Sequence, residues 1–264
     1  GYSYSEFKLY PRNENDFNIG SEQTSINVDF QSGWNLIGLP LVVESSAYGD
    51  LFPTSVAGTL YSFSGTYVPE SDLIPGAGYW LVFSESGSDE LSGESIESLT
   101  LELTQGWNMI SGVTLPVEIS AVDDPGSIIV QGTLYSFDGT YDASLTIEPG
   151  MGYWLNANAA GQVTVSSGDA ARLTTPSFTD RTKEANKLSF NEGSLYFGVS
   201  IPDEEMLSYQ LPPKPPAGTF DVRFVGDRKM VESSGAIEIM NNTQDLSISY
   251  SISIDAGDGM RWVL

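Results

Sequence analysis

The order of apolar and polar residues along the chain predicts β-strands. Short segments alternate between the two classes, as in residues 28–30 (Val-Asp-Phe), 101–103 (Leu-Glu-Leu) and 246–254 (Leu-Ser-Ile-Ser-Tyr-Ser-Ile-Ser-Ile). A period of two places one face of a strand against a core and the other toward solvent. Gly and Pro occur between these segments and indicate turns. One helical turn is predicted at residues 45–52. No apolar run is long enough to cross a membrane. We therefore predict an all-β protein with no membrane span.

Several phrases of the sequence occur twice. Gly-Trp-Asn at 33–35 recurs 73 residues later at 106–108. Three more phrases recur after 74 residues: Gly-Thr-Leu-Tyr-Ser-Phe (58–63 and 132–137), Gly-Thr-Tyr (65–67 and 139–141) and Pro-Gly-x-Gly-Tyr-Trp-Leu (75–81 and 149–155). Similarity at a fixed period indicates repeated structural units. We predict two tandem homologous small β-modules, at residues 26–98 and 99–168.

Other parts of the chain fall outside the repeat. Residues 169–186 are polar and read as a connector, and residues 187–264 predict an Ig-like β-sandwich. Its predicted strands are 187–190, 194–199, 206–210, 219–225, 236–240, 246–254 and 262–264. Residues 1–25 are interpreted as an N-terminal arm or the end of a preceding domain. We expect the chain to be a processed or excised piece of a longer protein.

A proline-rich segment interrupts the predicted sandwich. Residues 211–218 read Leu-Pro-Pro-Lys-Pro-Pro-Ala-Gly, which favours an extended polyproline II conformation. One interpretation is a ligand for an SH3-like or WW-like domain. The other, which we favour, is a stiff crossover between strands.

Charge and composition exclude several classes of function. The chain has 35 acidic and 11 basic side chains, for a net charge of −24, which repels nucleic acid. It contains no Cys and no His, which excludes disulfides, thiolate metal sites and the common nucleophile–His arrangements. No pair of carboxylates is marked out for acid–base catalysis. We predict that the protein is not an enzyme.

Adjacent aromatic residues in each copy are the candidate ligand-binding residues. Tyr79 and Trp80 match Tyr153 and Trp154, and an exposed ring at these positions would stack on a sugar. Neighbouring residues of a strand point to opposite faces, so at most one ring of each pair is exposed. We favour a core role for these rings over glycan binding. The glycines that precede the pairs, Gly78 and Gly152, predict a bulge or a close approach to another backbone.

Cation binding has one candidate segment. Asp255 and Asp258 lie in a predicted turn that offers carboxylates to Ca²⁺, but the twelve-residue spacing to a terminal Glu is absent. We predict no other cofactor.

The repeated motifs carry a resemblance. The phrases at 33–37, 58–67 and 75–81, together with residues 194–198 and 207–224, resemble modules found near the C-terminus of large secreted bacterial proteins of the type IX secretion kind. The resemblance covers roughly residues 26–264, and it implies a stalk or presentation role with no catalytic residues.

Two functional hypotheses follow. The first is a non-catalytic structural or presentation region of a protein that is secreted or on the cell surface of a Gram-negative bacterium. Its partners are the N-terminal portion of the same parent protein or neighbouring subunits of an extracellular assembly. The alternative is a carbohydrate-binding tandem module, attached to a secreted enzyme or adhesin, whose partner is a polysaccharide.

Overall fold

The computed structural model describes residues 23–168, 178–191, 193–240, 245–254 and 262–263. Short antiparallel sheets dominate this part of the chain, which confirms the all-β class. The finer assignments, tandem homologous modules and an Ig-like sandwich, stay predictions. No helix among the described residues is long and apolar enough to cross a membrane. The candidate Ca²⁺ ligands Asp255 and Asp258 lie outside the described residues.

Residues 23–95 and 98–166 share the sequence repeat and are called copy one and copy two. Copy one contains β1 (Gln23–Phe30), β2 (Gly33–Gly38), β3 (Leu41–Val42), α1 (Tyr48–Leu51), β4 (Tyr61–Phe63), β5 (Tyr67–Pro69), β6 (Gly78–Phe83) and β7 (Gly87–Ser95). Copy two contains β8 (Ser98–Leu103), β9 (Gly106–Ser111), β10 (Val117–Glu118), a 3-10 helix (Ile119–Ala121), β11 (Tyr135–Phe137), β12 (Tyr141–Ala143), β13 (Thr146–Ile147), β14 (Gly152–Ala157) and β15 (Gly161–Ser166). The strand β1 begins inside the segment interpreted as an arm.

Each copy has a four-stranded sheet with the same order. The order is β2-β6-β4-β5 in copy one and β9-β14-β11-β12 in copy two. The registers also match, because Gly38 pairs with Gly78 and Ser111 pairs with Gly152. The remaining strands form the sheets β1-β7-β3, β8-β15 and β10-β13. Each copy encloses its own apolar core, to which Tyr79 and Tyr153 belong respectively.

The third region, residues 178–263, contains shorter elements. They are a 3-10 helix (Arg181–Lys183), β16 (Asn186–Phe190), β17 (Gly193–Phe197), a 3-10 helix (Asp203–Tyr209), β18 (Asp221–Phe224), β19 (Met230–Val231), β20 (Ile237–Met240) and β21 (Ile248–Ser251). They form the sheets β19-β17-β16-β21 and β18-β20, and β17 runs parallel to β19.

Two predicted strands of the third region are not observed as strands. Residues 206–210 belong mostly to the 3-10 helix Asp203–Tyr209, with Pro202 at its N-cap and three acidic residues in its first turn. Acidic side chains interact favourably with the N–H groups at the start of a helical segment. This local signal outweighs the short apolar–polar alternation that predicted a strand. Residues 262–263, also predicted as strand, lie in neither helix nor strand.

Candidate functional site

The Gly-Trp-Asn phrase builds the same turn in both copies. Gly33 and Gly106 have φ of 97° and 96°, a region that favours glycine. Asn35 accepts a hydrogen bond from the Gln31 backbone N–H at 2.9 Å, and its amide donates to the carbonyl oxygens of Gln31 and Gly33. Asn108 makes the equivalent bonds to Thr104 and Gly106. The repeated asparagine therefore holds a turn.

The repeated glycines let the two copies approach each other. A Cβ at Gly78 would lie 2.6 Å from the carbonyl oxygen of Ile110, and one at Gly152 would lie 2.5 Å from that of Ile37. The predicted close approach to another backbone is confirmed, and the other backbone belongs to the opposite copy. Two hydrogen bonds cross the same boundary, from Gly38 N to Gly150 O at 2.9 Å and from Ser111 N to Gly76 O at 3.0 Å.

Aromatic side chains from both copies, together with Leu36 and Met109, meet in one cluster, called the aromatic junction. Its members are Trp34, Leu36, Tyr61, Phe63, Tyr67, Trp80, Trp107, Met109, Tyr135, Phe137, Tyr141 and Trp154. Phe63 packs edge-on against Trp154 with ring centroids 4.9 Å apart. Trp80 packs in the same way against Phe137, at 4.8 Å. Each copy therefore places its Phe against the Trp of the other copy.

The candidate glycan-binding residues are all buried. Trp80 and Trp154 are 0% exposed, Tyr79 is 3% exposed and Tyr153 is 1% exposed. The neighbouring residues point to opposite faces as expected, since each Tyr lies in its own core and each Trp in the junction. The core role that the sequence favoured for these rings agrees with their burial, and the alternative of one exposed ring in each pair does not, because the opposite copy covers the second face of the sheet. None of the four rings is available for stacking on a sugar.

Residues 211–217, called the proline segment, lie against the aromatic junction. The Tyr67 hydroxyl donates to the Lys214 carbonyl at 2.7 Å, and the Tyr141 hydroxyl donates to the Pro213 carbonyl at 2.7 Å. Trp34 Nε1 donates to the Ala217 carbonyl at 3.2 Å.

Leu211 completes the apolar side of this contact, because its side chain belongs to the same cluster as the junction rings. The proline segment is conspicuous in the sequence, but its contact with the repeated aromatic residues is not predictable from local patterns, since the bonded positions lie 72 to 183 residues apart.

A buried arginine holds the start of the proline segment. Arg223 is 0% exposed and makes two hydrogen bonds to Asp221, at 2.6 and 2.8 Å. It also donates to the Pro212 carbonyl and to Asp227, each at 2.8 Å. A planar guanidinium with several donors suits such a network, and the partners compensate for its burial.

A lysine closes the junction on the side of copy two. Lys229 Nζ lies 5.0 Å from the ring centroid of Tyr135 and 5.7 Å from that of Tyr209. Burial lowers the pKa of Lys229 to about 8, while Asp180 acts in the opposite direction. Burial also raises the pKa of Tyr67 to about 12 and raises the pKa of Tyr141 well above its usual value.

A cleft of about 400 Å³ opens at the boundary of the copies. Its lining combines residues 63–65 and 75–77 of copy one with residues 100–104 and 107–110 of copy two. Trp107 is half-buried there, so part of its ring faces solvent. The neighbouring Asn108 amide is engaged in the turn described above.

The charged groups around these features do not form a metal-binding cluster. Within the described ranges, no group of three or more Asp or Glu side chains is placed to hold an ion.

Comparison with family models, curated proteins and solved structures finds no match.

Proposed function

We propose that the chain is a non-catalytic structural region that presents another part of a secreted or cell-surface bacterial protein. The observation that carries this proposal is the contact between the aromatic junction and the proline segment. Two tyrosine hydroxyls and one indole N–H join the third region to both copies. A linker that transmits orientation needs such fixed contacts, because domains joined by a flexible chain alone move independently.

The polar residues of the repeat support the same proposal. Asn35 and Asn108 hold turns. Thr59 and Thr133 each donate to a carbonyl three residues earlier, at 2.6 Å. Groups that are occupied by the protein's own backbone serve the fold rather than a substrate.

An exposed strand offers a route to the proposed extracellular assembly. All four residues of β21 are exposed, and within the described residues β21 pairs with β16 alone. A sheet edge presents unpaired N–H and C=O groups that accept a strand from a neighbouring subunit.

The test measures whether copy one and the third region hold one arrangement. The chain has no Cys, so spin labels attach only to introduced cysteines. Ser86→Cys and Ser249→Cys place labels at exposed sites on copy one and the third region. Pulsed electron paramagnetic resonance is expected to give one narrow distance distribution. A broad distance distribution in the chain that carries only these two substitutions contradicts a rigid presenting region.

A second candidate function is glycan binding at the cleft, favoured by the half-buried Trp107 ring. A partly exposed indole stacks on the apolar face of a sugar ring. Saturable binding of a polysaccharide that is lost in Trp107→Ala and retained in Tyr250→Ala supports this function. Unchanged binding in Trp107→Ala excludes the cleft.

A further inference from the structure

Residues 212–217 of the proline segment show the burial period of a bound polyproline II helix, and Leu211 before them is buried in the junction. Pro212 and Pro215 are buried, Pro213 and Pro216 are half-buried, and Lys214 and Ala217 are exposed. This is a period of three, the number of residues per turn in polyproline II. Proline also disfavours the α region for the residue before it, which applies at 211, 212, 214 and 215.

The junction contacts this segment as peptide-recognition grooves do. Tyr67 and Tyr141 donate to the adjacent carbonyls of Lys214 and Pro213, and Trp34 donates to that of Ala217. Grooves that recognise proline-rich segments combine aromatic walls with ring-borne donors aimed at main-chain carbonyls.

These three donors bind the backbone of the segment rather than its side chains. The exposed Lys214 side chain pairs instead with Glu238 of the third region, at 2.6 Å. Recognition through main-chain carbonyls accepts other segments that hold the same extended conformation.

We propose that the aromatic junction is a binding site for polyproline II segments, that residues 211–217 are its resident ligand, and that it takes a proline-rich segment of a second polypeptide when the resident one is displaced. This goes beyond the structural role, which requires only that the contact be present. The partner carries apolar residues or prolines every third position, and it offers two adjacent carbonyls to Tyr67 and Tyr141.

The resident segment masks the site in the intact chain. A ligand on the same chain competes at an effective concentration of about millimolar, so a free peptide does not displace it. The experiment therefore weakens the resident segment within the full-length chain. Variant A replaces four prolines with alanine: P212A, P213A, P215A and P216A.

The probe is a fluorescent peptide of residues 208–219, followed by anisotropy. We expect saturable binding to variant A and none to the unaltered chain. A matched peptide with alanine at the four proline positions is expected not to bind. In the background of variant A, Tyr67→Phe and Tyr141→Phe are each expected to weaken binding about 3- to 10-fold, the factor that one hydrogen bond contributes. Tyr250→Phe, at a tyrosine that is 73% exposed, is the matched control and leaves binding unchanged.

Circular dichroism checks that variant A keeps the fold. A folded variant A that does not bind the peptide overturns the proposal, and so does binding that is equal in the Tyr→Phe variants. Should variant A not fold, Pro213→Ala takes its place, because it retains three of the four prolines. Because the resident segment of this variant still competes at about millimolar, the peptide is raised to about 10 mM, and absence of binding to the folded variant at that concentration also overturns the proposal. The spin-label distances test the structural role separately, since a rigid arrangement does not require that the site exchange its ligand.

Discussion

The ring of Phe63 in copy one packs edge-on against the ring of Trp154 in copy two, at an interplanar angle of 77°. The equivalent pair, Phe137 and Trp80, meets at 80°. The two copies thus exchange the same contact in both directions. Aromatic pairs in this geometry contribute about 0.5–1.5 kcal/mol each beyond their buried area. The Trp of each Tyr-Trp pair therefore occurs in both copies because it joins one copy to the other.

The close approach of the copies predicts a severe effect for Gly152→Ala. The new Cβ would lie 2.5 Å from the carbonyl oxygen of Ile37, which is backbone and cannot rotate away. We expect a loss of about 1–3 kcal/mol in the free energy of unfolding, typical of overpacking. Urea unfolding followed by Trp fluorescence measures it.

Gly49→Ala is the matched control for that substitution. Nothing lies within 4 Å of a Cβ at Gly49, which sits in α1 at a φ that is not positive. Alanine there is expected to be neutral or to stabilise by about 0.5–1 kcal/mol. Equal effects at the two glycines contradict the packing of the copies described above.

The turn of the Gly-Trp-Asn phrase predicts that Asn35→Ala is destabilising. It removes the hydrogen bonds to Gln31 and Gly33 and leaves their backbone groups without these partners. We expect a loss of about 1–3 kcal/mol, measured by urea unfolding. Asn27→Ala, at an exposed position of β1, is the control and is expected to stay within about 0.5 kcal/mol of the unaltered chain. A similar loss in both variants argues against the turn as its cause.

Local patterns in the sequence predicted most of the strands and the close approach at Gly78. Alternation placed Tyr79 and Trp80 on opposite faces of β6, as observed. A core role for Trp80 was favoured from the sequence, but its neighbour in the core was not predictable, because Phe137 lies more than fifty residues away in the other copy. Alternation describes one sheet and carries no information about which surface lies against it.

The proline segment illustrates the same limit. Its extended form follows from the prolines themselves, since the ring fixes φ and restricts the preceding residue. Its partners Tyr67 and Tyr141 belong to the repeat. The hairpins that carry them are predictable from the Gly-containing turns. The hydrogen bonds between them depend on how the third region packs on both copies, and no short motif encodes that packing.

The buried position of Arg223 predicts a large effect for Arg223→Met. The substitution leaves Asp221, which is 6% exposed, without its bidentate partner and removes the donor to Pro212. Removing one partner of a buried ion pair costs about 3–5 kcal/mol. Thermal and urea unfolding are expected to show a loss of this size.

Lys214→Met is the matched control, because it breaks an ion pair whose side chains are 49% and 43% exposed. Exposed pairs contribute about 0–1 kcal/mol. A small effect of Arg223→Met, no larger than that of Lys214→Met, contradicts the role of Arg223 in holding the proline segment.

The junction predicts two opposite pH dependences of stability. Lys229 has a pKa lowered to about 8 when folded, against a usual value of 10.5, chiefly by burial. The folded protein disfavours the charged ammonium of this lysine, so the free energy of unfolding is reduced below pH 8. It rises between pH 8 and 10.5, where the lysine is neutral in the folded chain and still charged in the unfolded chain. Tyr67 has a pKa raised from 10.0 to about 12, again chiefly by burial. Its contribution is fully present below pH 10 and is lost as the pH rises to 12.

The unfolding free energy is therefore expected to rise from pH 8 to about 10 and to fall above it. Lys229→Met is expected to remove the rising limb and to stabilise the chain at pH 7 by up to about 3 kcal/mol, the upper limit set by the pKa difference. Tyr67→Phe is expected to reduce the loss above pH 10 while leaving the rising limb intact. Urea unfolding at intervals between pH 6 and 12 measures both. If Lys229→Met keeps the rise between pH 8 and 10, the lysine is not the titrating group.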